Sequence, residues 1–328
     1  MTLQPRSPGV AAFVDLAPEV TAALAAGRPV VALESTLVTH GLPYPENLDV
    51  ARAAEAAVRA AGAVPATIAV RAGRVAVGLE AEALAELATV RGARKASRPT
   101  LAVALAAGGW AGTTVSATMI AAHAVGIAVF ATGGIGGVHR GAFGSPVAAD
   151  PSGGGRPATA TLDVSSDLEE LGRTPVAVVC AGPKAILDVP LTLEYLETRG
   201  VPVFAIGTDE MPGFYSSRSG IPAPGSVPDV EGAATLVRTH LALGLGSGLL
   251  VCVPVPAADE LPLEAARAAI ARAIADADAA GVRGPKLTPW LLARIAEVTG
   301  GASVRANRAL IVNDARVAAQ LAVALARI

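Results

Sequence analysis

Short apolar runs alternate with longer alanine-rich segments along the chain up to Val253. The runs are rich in valine, isoleucine and alanine, which is typical of buried strands. They lie at Val30–Leu33, Thr67–Val70, Arg74–Val77, Ala128–Ala131, Val176–Cys180, Val203–Ile206 and Leu249–Val253. Apolar strands that alternate with helices form mainly parallel sheets covered on both faces, so the pattern predicts an α/β fold with a largely parallel central sheet.

The alanine-rich segments between these strands have lengths that suit helices. They are Leu48–Ala61, Ala81–Val90, Val115–Val125, Leu191–Arg199 and Glu231–Leu243. After Val253 three more helices are predicted, at Leu263–Ala280, Pro289–Val298 and Ser303–Ile328. We expect this helical C-terminal part to close over the sheet, so that residues 1–328 form a single domain. A Gly- and Pro-rich run at about 143–160 predicts an inserted surface loop.

Composition narrows the functional classes. The chain has 52% hydrophobic residues, 16% charged residues and a net charge of -2, so no broad basic surface for nucleic acid is expected. The uncharged stretch from Arg98 to Arg140 is broken by glycine clusters, which argues against a membrane span. Cys180 and Cys252 lie in apolar runs, and residues 1–20 lack a signal-peptide pattern. We therefore expect a cytoplasmic enzyme or binding protein.

Lysine is rare in this arginine-rich chain, which has three lysines among 26 basic residues. Lys184 follows a predicted strand and then Gly182-Pro183, a sequence that suits the first turn of a helix. The helix dipole there would lower the pKa of the amine, as a Schiff-base lysine requires. A solvated lysine at a helix start is the alternative interpretation.

Two carboxyl groups follow predicted strands or precede a helix start. Glu34 comes directly after Val30–Leu33, at the edge where parallel sheets bind ligands, and is either a general acid or a turn anchor. Ser166 and Glu169 fit a capping box, which would account for Asp167 in the first turn. Asp163 lies just before this cap, where a lone carboxylate suits a hydrated divalent cation.

Glycine clusters and loop histidines complete the candidate chemistry. Gly134-Ile135-Gly136-Gly137 lacks the third glycine and the helix of a dinucleotide fingerprint. Gly112–Thr118 leads into a helix whose first amides suit one phosphate, with Lys95 as a partner. His40 and His139 lie in loops and are either ligand donors or ordinary loop residues. These residues indicate a phosphosugar enzyme with a Schiff-base lysine and a metal.

Nine long sequence words carry a resemblance to a known family. They are VALEST (Val31–Thr36), HGLPYPENL (His40–Leu48), GAVPATIAV (Gly62–Val70), GTTVSATM (Gly112–Met119), FATGGIGGVHRGA (Phe130–Ala142), DVSSDLEEL (Asp163–Leu171), RTPVAVVCAGPKAILD (Arg173–Asp188), TLEYLETRGVPV (Thr192–Val203) and GTDEMPGFYSSRSG (Gly207–Gly220). With these words the chain resembles pseudouridine-5'-phosphate glycosidases, also called indigoidine synthase A-like proteins.

The resemblance implies a three-layer α/β/α fold, a homotrimer and Mn²⁺. The implied reaction is the reversible cleavage of pseudouridine 5'-phosphate to uracil and ribose 5-phosphate. Glu34 would be the proton donor, Lys184 the covalent nucleophile and Asp163 the metal ligand. The residues implied to contact substrate are Lys95, Val115, Ser165, Ser166, Asp167, His139 and Asn307. Two departures are the long 143–160 loop and Ser166, where the family commonly has alanine.

Other functions remain open from the sequence. A phosphosugar aldolase or lyase would share Lys184 but would not need to select uracil. A non-catalytic phosphosugar-binding relative would have lost Glu34 or Lys184, and both are present. A role in a pigment pathway is suggested only by the family's second name.

Overall fold

The computed structural model describes residues 9–144, 160–282 and 287–327. Eleven of the strands in these ranges form one sheet and two form a small antiparallel ribbon. The strands are β1 (Val14–Leu16), β2 (Val30–Leu33), β3 (Val64–Arg71), β4 (Arg74–Val77), β5 (Arg94–Ala96), β6 (Ala111–Thr113), β7 (Val129–Ala131), β8 (Val138–His139), β9 (Ala177–Cys180), β10 (Leu187–Asp188), β11 (Val203–Ile206), β12 (Ser226–Val227) and β13 (Leu249–Cys252).

The sheet is largely parallel, as predicted. Its order is β1-β4-β3-β2-β7-β9-β13-β11-β12, and β6 pairs with both β3 and β5. From β3 to β12 every neighbouring pair on this path is parallel. The antiparallel pairs, β3–β4 and β3–β6, lie at one side of the sheet. Ribbon β8–β10 lies outside the sheet and joins the loops that follow β7 and β9.

Helices cover the sheet and fill the C-terminal part of the chain. They are α1 (Pro18–Ala25), α2 (Glu46–Ala60), α3 (Ala81–Thr89), α4 (Leu101–Ala107), α5 (Val115–Ala124), α6 (Ser166–Leu171), α7 (Val189–Thr198), α8 (Val230–Leu243), α9 (Leu263–Ala279), α10 (Leu287–Val298) and α11 (Ala302–Arg327). A π-helical turn, Leu37–Gly41, follows β2.

Alternating side chains of the strands form a core on each face of the sheet. In β2, Val31 and Leu33 pack into a cluster that includes residues of α2, α8, α9 and α11. Val30 and Ala32 point to the opposite face, where they pack into a cluster with residues of α4, α5 and α6. This two-sided burial explains why the strands are continuously apolar and confirms the three-layer fold class.

Helix α11 is long and apolar enough to cross a membrane by length and composition. Half of its most apolar window is buried inside the protein. Leu310, Ala318 and Leu321 are fully inaccessible and belong to the core on the α2 side of the sheet. Burial in the core is therefore sufficient to explain why α11 is so apolar.

The sequence-based elements agree with the observed ones apart from shifts at their ends. The pattern missed some elements because they are short or half exposed. They are β1, α1, β5, α4, β6, β8, β10 and β12. Cys180 and Cys252 are buried free thiols opposite each other in β9 and β13. Residues 145–159 of the predicted 143–160 insertion lie outside the described residues, and the single-domain interpretation stays a prediction.

Candidate active site

The carboxyl ends of β2, β7 and β9 open into one cleft. Leu33, Ala131 and Val179 lie in register across these parallel strands, so the residues after them emerge at the same edge. Glu34 and Lys184 line the cleft together with Thr132. Lys95 of β5 and Asn307 of α11 also line it. The empty space of the cleft, including the open solvent at its mouth, is about 1000 Å³.

Glu34 is held by its neighbour across the sheet. The Thr132 hydroxyl donates a hydrogen bond to Glu34 Oε1. Burial raises the pKa of Glu34, and this effect outweighs the opposing influence of the Lys184 charge and the Thr132 hydrogen bond. A carboxyl group with a raised pKa keeps its proton to higher pH, which is what a general acid needs.

Lys184 lies in a loop, so the predicted helix start at this residue is wrong. Pro183 bridges to Ile135, and the Lys184 amide donates to the Ile135 carbonyl at 3.1 Å. The Lys184 carbonyl accepts from the Leu187 amide at 3.0 Å, and the chain then enters β10. The next helix, α7, begins only at Val189 because Asp188 caps it. The helix-dipole argument for Lys184 therefore does not apply.

Positive charge converges on the cleft. Desolvation lowers the pKa of Lys95, and the Lys184 charge lowers it further. Burial also lowers the pKa of His139, against the opposing charge of Asp163, whose Oδ2 lies 4.0 Å from His139 Nδ1. His40 lines the cleft, and burial lowers its pKa as well. Lys95 and Lys184, both on the cleft wall, make the cleft suited to a small anion.

Asp167 does more than favour a helix start. Its Oδ1 accepts from the Ser116 amide and its Oδ2 from the Gly136 amide, both at 3.0 Å. The side chain is buried, so the carboxylate joins α5, α6 and the Gly-rich segment after β7. The capping-box interpretation was incorrect in detail, because Ser165 is the cap residue and its Oγ accepts from the Asp167 amide at 3.2 Å.

The Gly-rich segment allows these groups to approach closely. A Cβ atom at Gly136 would lie 2.8 Å from Asp167 Oδ2 and closer still to Ser165 Oγ. At Gly134 a Cβ atom would lie 2.9 Å from the Gly182 carbonyl oxygen. The glycines therefore serve close packing of the loops beside Lys184, and the segment passes into ribbon strand β8, not into a dinucleotide-binding helix.

Not every predicted site residue reaches the cleft wall. Glu34, Lys95, Lys184 and Asn307 line it. The others lie in the elements beside it: Val115 and Ser166 near the start of α5, and His139, Asp163, Ser165 and Asp167 around ribbon β8–β10 and α6. The Val115 side chain is buried in the core, so its contribution to a site is restricted to its backbone.

Thr132, Thr36 and Phe214 are among the cleft residues that sequence reasoning missed. Thr132 directly follows the apolar run that ends at Ala131, as Glu34 follows the run that ends at Leu33. This shared position was the available signal. Phe214 reaches the cleft from a distant loop, which no local pattern indicates.

The sequence profile described as indigoidine synthase A like protein matches residues 19–324. The chain belongs to this family. The resemblance drawn from the sequence words is thereby confirmed.

Relatives in the family match over nearly the whole chain. A pseudouridine-5'-phosphate glycosidase of Methylobacterium nodulans is 56% identical over 313 residues, covering 95% of this chain and 88% of the relative. One of Deinococcus radiodurans is 49% identical over 328 residues and covers both chains fully.

Solved structures of the same fold support the architecture. The prealnumycin C-glycosynthase AlnA, solved in complex with ribulose 5-phosphate, has a TM-score of 0.85 and 37% identity, covering 96% of this chain and 97% of its own. An indigoidine synthase A-like protein from Thermotoga maritima has a TM-score of 0.82 and 30% identity, with full coverage of both chains.

Proposed function

We propose that this protein is a pseudouridine-5'-phosphate glycosidase that reversibly cleaves its substrate to uracil and ribose 5-phosphate. The observation that carries the proposal is the meeting of Glu34 and Lys184 in one cleft, in a chain of the family whose relatives bear that name. The glycosidic bond of pseudouridine joins two carbons, so it offers no leaving oxygen to protonate. Two-carboxylate glycosidase chemistry is therefore unsuitable.

The first half of the proposed mechanism opens the sugar. Glu34 gives its proton to the ring oxygen as the bond from that oxygen to the anomeric carbon breaks. The Lys184 nitrogen forms a bond to the same carbon through its lone pair. Thr132 orients the Glu34 carboxyl group through its hydrogen bond.

The second half releases the base. The Glu34 carboxylate takes a proton from the nitrogen of the Lys184 adduct. The freed nitrogen lone pair then forms an iminium as the carbon–carbon bond breaks, and the base carbon takes up that proton from Glu34. Water then hydrolyses the iminium, which frees Lys184 and gives ribose 5-phosphate. Lys95, on the cleft wall, holds the substrate phosphate throughout.

The residues around Asp163 fit a divalent cation such as Mn²⁺. The Asp163 side chain is 42% exposed, and its backbone carbonyl accepts from the His139 amide. The described ranges contain no cluster of three or more His, Cys, Asp or Glu that suits a metal. A single accessible carboxylate matches a hard ion that keeps most of its waters. When bound, the ion supplies positive charge beside the phosphosugar.

Carbon–carbon bond formation is the second candidate activity. It is favoured by the likeness to a C-glycosynthase over 96% of the chain. The same Lys184 adduct would form the carbon–carbon bond when the steps of the cleavage run in reverse. The homotrimer and the cytoplasmic location stay predictions.

The decisive experiment measures uracil and ribose 5-phosphate release from pseudouridine 5'-phosphate with added Mn²⁺. Wild type should turn over, and Lys184→Ala should lose at least about 10³-fold in kcat, since the nucleophile is absent. Arg74→Ala, which removes an exposed ion pair with Asp15, is the control and should keep normal kcat. A folded, Mn²⁺-loaded wild type without release would contradict the proposal.

Adduct trapping tests the lysine role directly. Borohydride reduction in the presence of ribose 5-phosphate should add one sugar phosphate to wild type at Lys184 and none to Lys184→Ala. Mass mapping of the adduct to another residue would reassign the nucleophile. Mn²⁺ should raise the Tm of wild type but not of Asp163→Asn.

A further inference from the structure

Thr36 has a buried hydroxyl group without a partner. Its Oγ1 is inaccessible to solvent and makes no hydrogen bond within the ranges that the structure describes. Thr36 precedes the π-helical turn Leu37–Gly41, but its side chain does not cap that turn. Buried hydroxyl groups are normally paired, because an unpaired one loses its hydration without compensation.

The neighbouring hydroxyl groups show that this segment is otherwise well satisfied. Ser35 Oγ donates to the Ile68 carbonyl at 2.6 Å and accepts from the Thr113 amide at 3.0 Å. Thr39 Oγ1 pairs with the Ser35 carbonyl at 3.2 Å and with His40 Nδ1 at 2.7 Å. Thr36 is the exception in the stretch from Ser35 to His40.

The position of Thr36 indicates where its partner comes from. It lies two residues after Glu34, and both side chains line the cleft. Of the other cleft-lining residues near it in the chain, Leu33 and Leu37 are apolar. Glu34 and His40 are polar but pair with Thr132 and Thr39. A ligand that fills the cleft beside Glu34 is therefore the available partner.

We propose that the Thr36 side chain rotates about its Cα–Cβ bond when substrate binds, so that its hydroxyl group hydrogen-bonds the substrate. Thr36 is then a specificity-determining residue of this site. The inference rests on the proposed function for the identity of the substrate. A site that leaves a buried polar group unpaired without its ligand discriminates against analogues that cannot pair with it. Thr36 thus selects a substrate with a polar group at this point of the cleft.

The test compares Thr36→Val, which removes the hydroxyl at similar size, with Thr36→Ser, which keeps it. Thr36→Val should raise KM for pseudouridine 5'-phosphate roughly tenfold or more. Thr36→Ser should stay near wild type. Without ligand, Thr36→Val should have an unchanged or higher Tm, because an unpaired buried hydroxyl has been removed.

A matched control separates binding from structure. Thr299 Oγ1 donates to the Ile295 carbonyl at 2.8 Å, and Thr299 does not line the cleft. Thr299→Val should lower Tm slightly and leave KM unchanged. If Thr36→Val does not fold, Thr36→Ala provides the same loss of the hydroxyl group with less crowding.

Thermal shifts with separate ligands locate the contact. Ribose 5-phosphate and uracil are each added to wild type and Thr36→Val, and the ligand whose stabilising shift is lost in the variant is the one that Thr36 contacts. Equal shifts and equal KM values in both proteins would overturn the Thr36 inference alone. Absence of turnover together with a Thr36-dependent shift would overturn only the proposed function.

Discussion

At the residue scale, burial raises the pKa of two carboxyl groups, Glu34 and Asp314, but only Glu34 lines the cleft. Burial raises the pKa of Glu34, whose side chain lines the cleft beside Lys184. Burial also raises the pKa of Asp314 well above its usual value, and this effect outweighs the opposing influence of the Ala181 amide. Glu34 is placed where a proton can be transferred, whereas Asp314 is fully inaccessible inside α11.

Replacing Thr132 by Val should change the pH dependence of activity. The Thr132 hydrogen bond stabilises the charged Glu34 carboxylate, so its loss raises the pKa of Glu34 further. A proton donor is active only while it is protonated, that is, at pH values below its pKa. The alkaline limb of kcat/KM that is assigned to Glu34 should therefore move to higher pH. Thr132→Ser keeps the hydroxyl and should restore the wild-type profile. A limb that moves to lower pH in Thr132→Val would contradict the assignment.

Asp314→Asn should stabilise the protein at neutral pH. In the unfolded chain Asp314 loses its proton above a pKa of about 3.9, whereas in the folded protein it keeps the proton to higher pH. As the pH rises between these two pKa values, the free energy of unfolding therefore falls by up to about 1.4 kcal/mol per pH unit. The amide of Asp314→Asn does not titrate, so this fall in stability is absent from the variant. The difference in stability between the variant and wild type should vanish near pH 4. Urea unfolding from pH 4 to 8 measures it.

The exposed Asp49 provides the control for this measurement. Asp49→Asn should change stability by no more than about 0.5 kcal/mol at any of these pH values. An Asp314→Asn protein whose stability parallels wild type across the whole range would show that Asp314 is charged in the fold.

At the scale of elements, one side chain connects three segments of the site. Asp167 lies in the first turn of α6, and its carboxylate accepts hydrogen bonds from the Ser116 amide of α5 and the Gly136 amide of the Gly-rich segment. The Gly-rich segment in turn carries the Ile135 carbonyl that accepts from the Lys184 amide. The position of the Lys184 loop therefore depends on contacts made by α6.

Asp167→Asn should lower both stability and activity. An amide can accept through one oxygen only, so either the Ser116 or the Gly136 amide loses its partner. A buried amide left unpaired costs about 1–3 kcal/mol, which urea unfolding should detect. kcat should fall more than in proteins destabilised to the same extent elsewhere.

The exposed pair of Glu264 and Arg267 is the matched control, because Glu264→Gln makes the same acid-to-amide change on the surface. It should cost no more than about 1 kcal/mol. Equal losses in the two variants would show that Asp167 does not hold these segments together.

At the scale of the whole molecule, α11 links the cleft to the core. Asn307 and Ile311 line the cleft, and Leu310 is fully buried one turn from Asn307. Towards its C-terminal end the helix reaches Gly62, where a Cβ atom would lie 3.6 Å from Val323. The helix therefore spans the layer from the carboxyl edge of the sheet to the region before β3.

Leu310→Ala should destabilise the protein by about 2–5 kcal/mol through the lost burial and the cavity that remains. Leu243, which is 64% exposed at the end of α8, is the control, and Leu243→Ala should change stability by no more than about 0.5 kcal/mol. Urea unfolding compares the two. Similar losses would show that α11 is not packed as described.

Local pattern located the buried strands of the sheet and the longer helices, since burial on both faces requires continuous apolar strands, although β3 was predicted at half its observed length. Val30–Leu33 and Val203–Ile206 agree residue for residue. The position of Glu34 at the carboxyl end of a parallel strand also followed from the sequence, because an apolar run must end where the strand leaves the core. The short edge strands β1 and β5 were missed, because partly exposed residues lack this signal.

The sequence by itself determined the layered fold, the family and the two residues proposed to carry the chemistry. Only the tertiary structure decided what surrounds them. The partner of Glu34, the loop conformation of Lys184, the bridging role of Asp167 and the unpaired Thr36 hydroxyl all depend on contacts between residues far apart in the chain. Such contacts follow from strand order and loop packing, which the periodicity of a single segment does not encode.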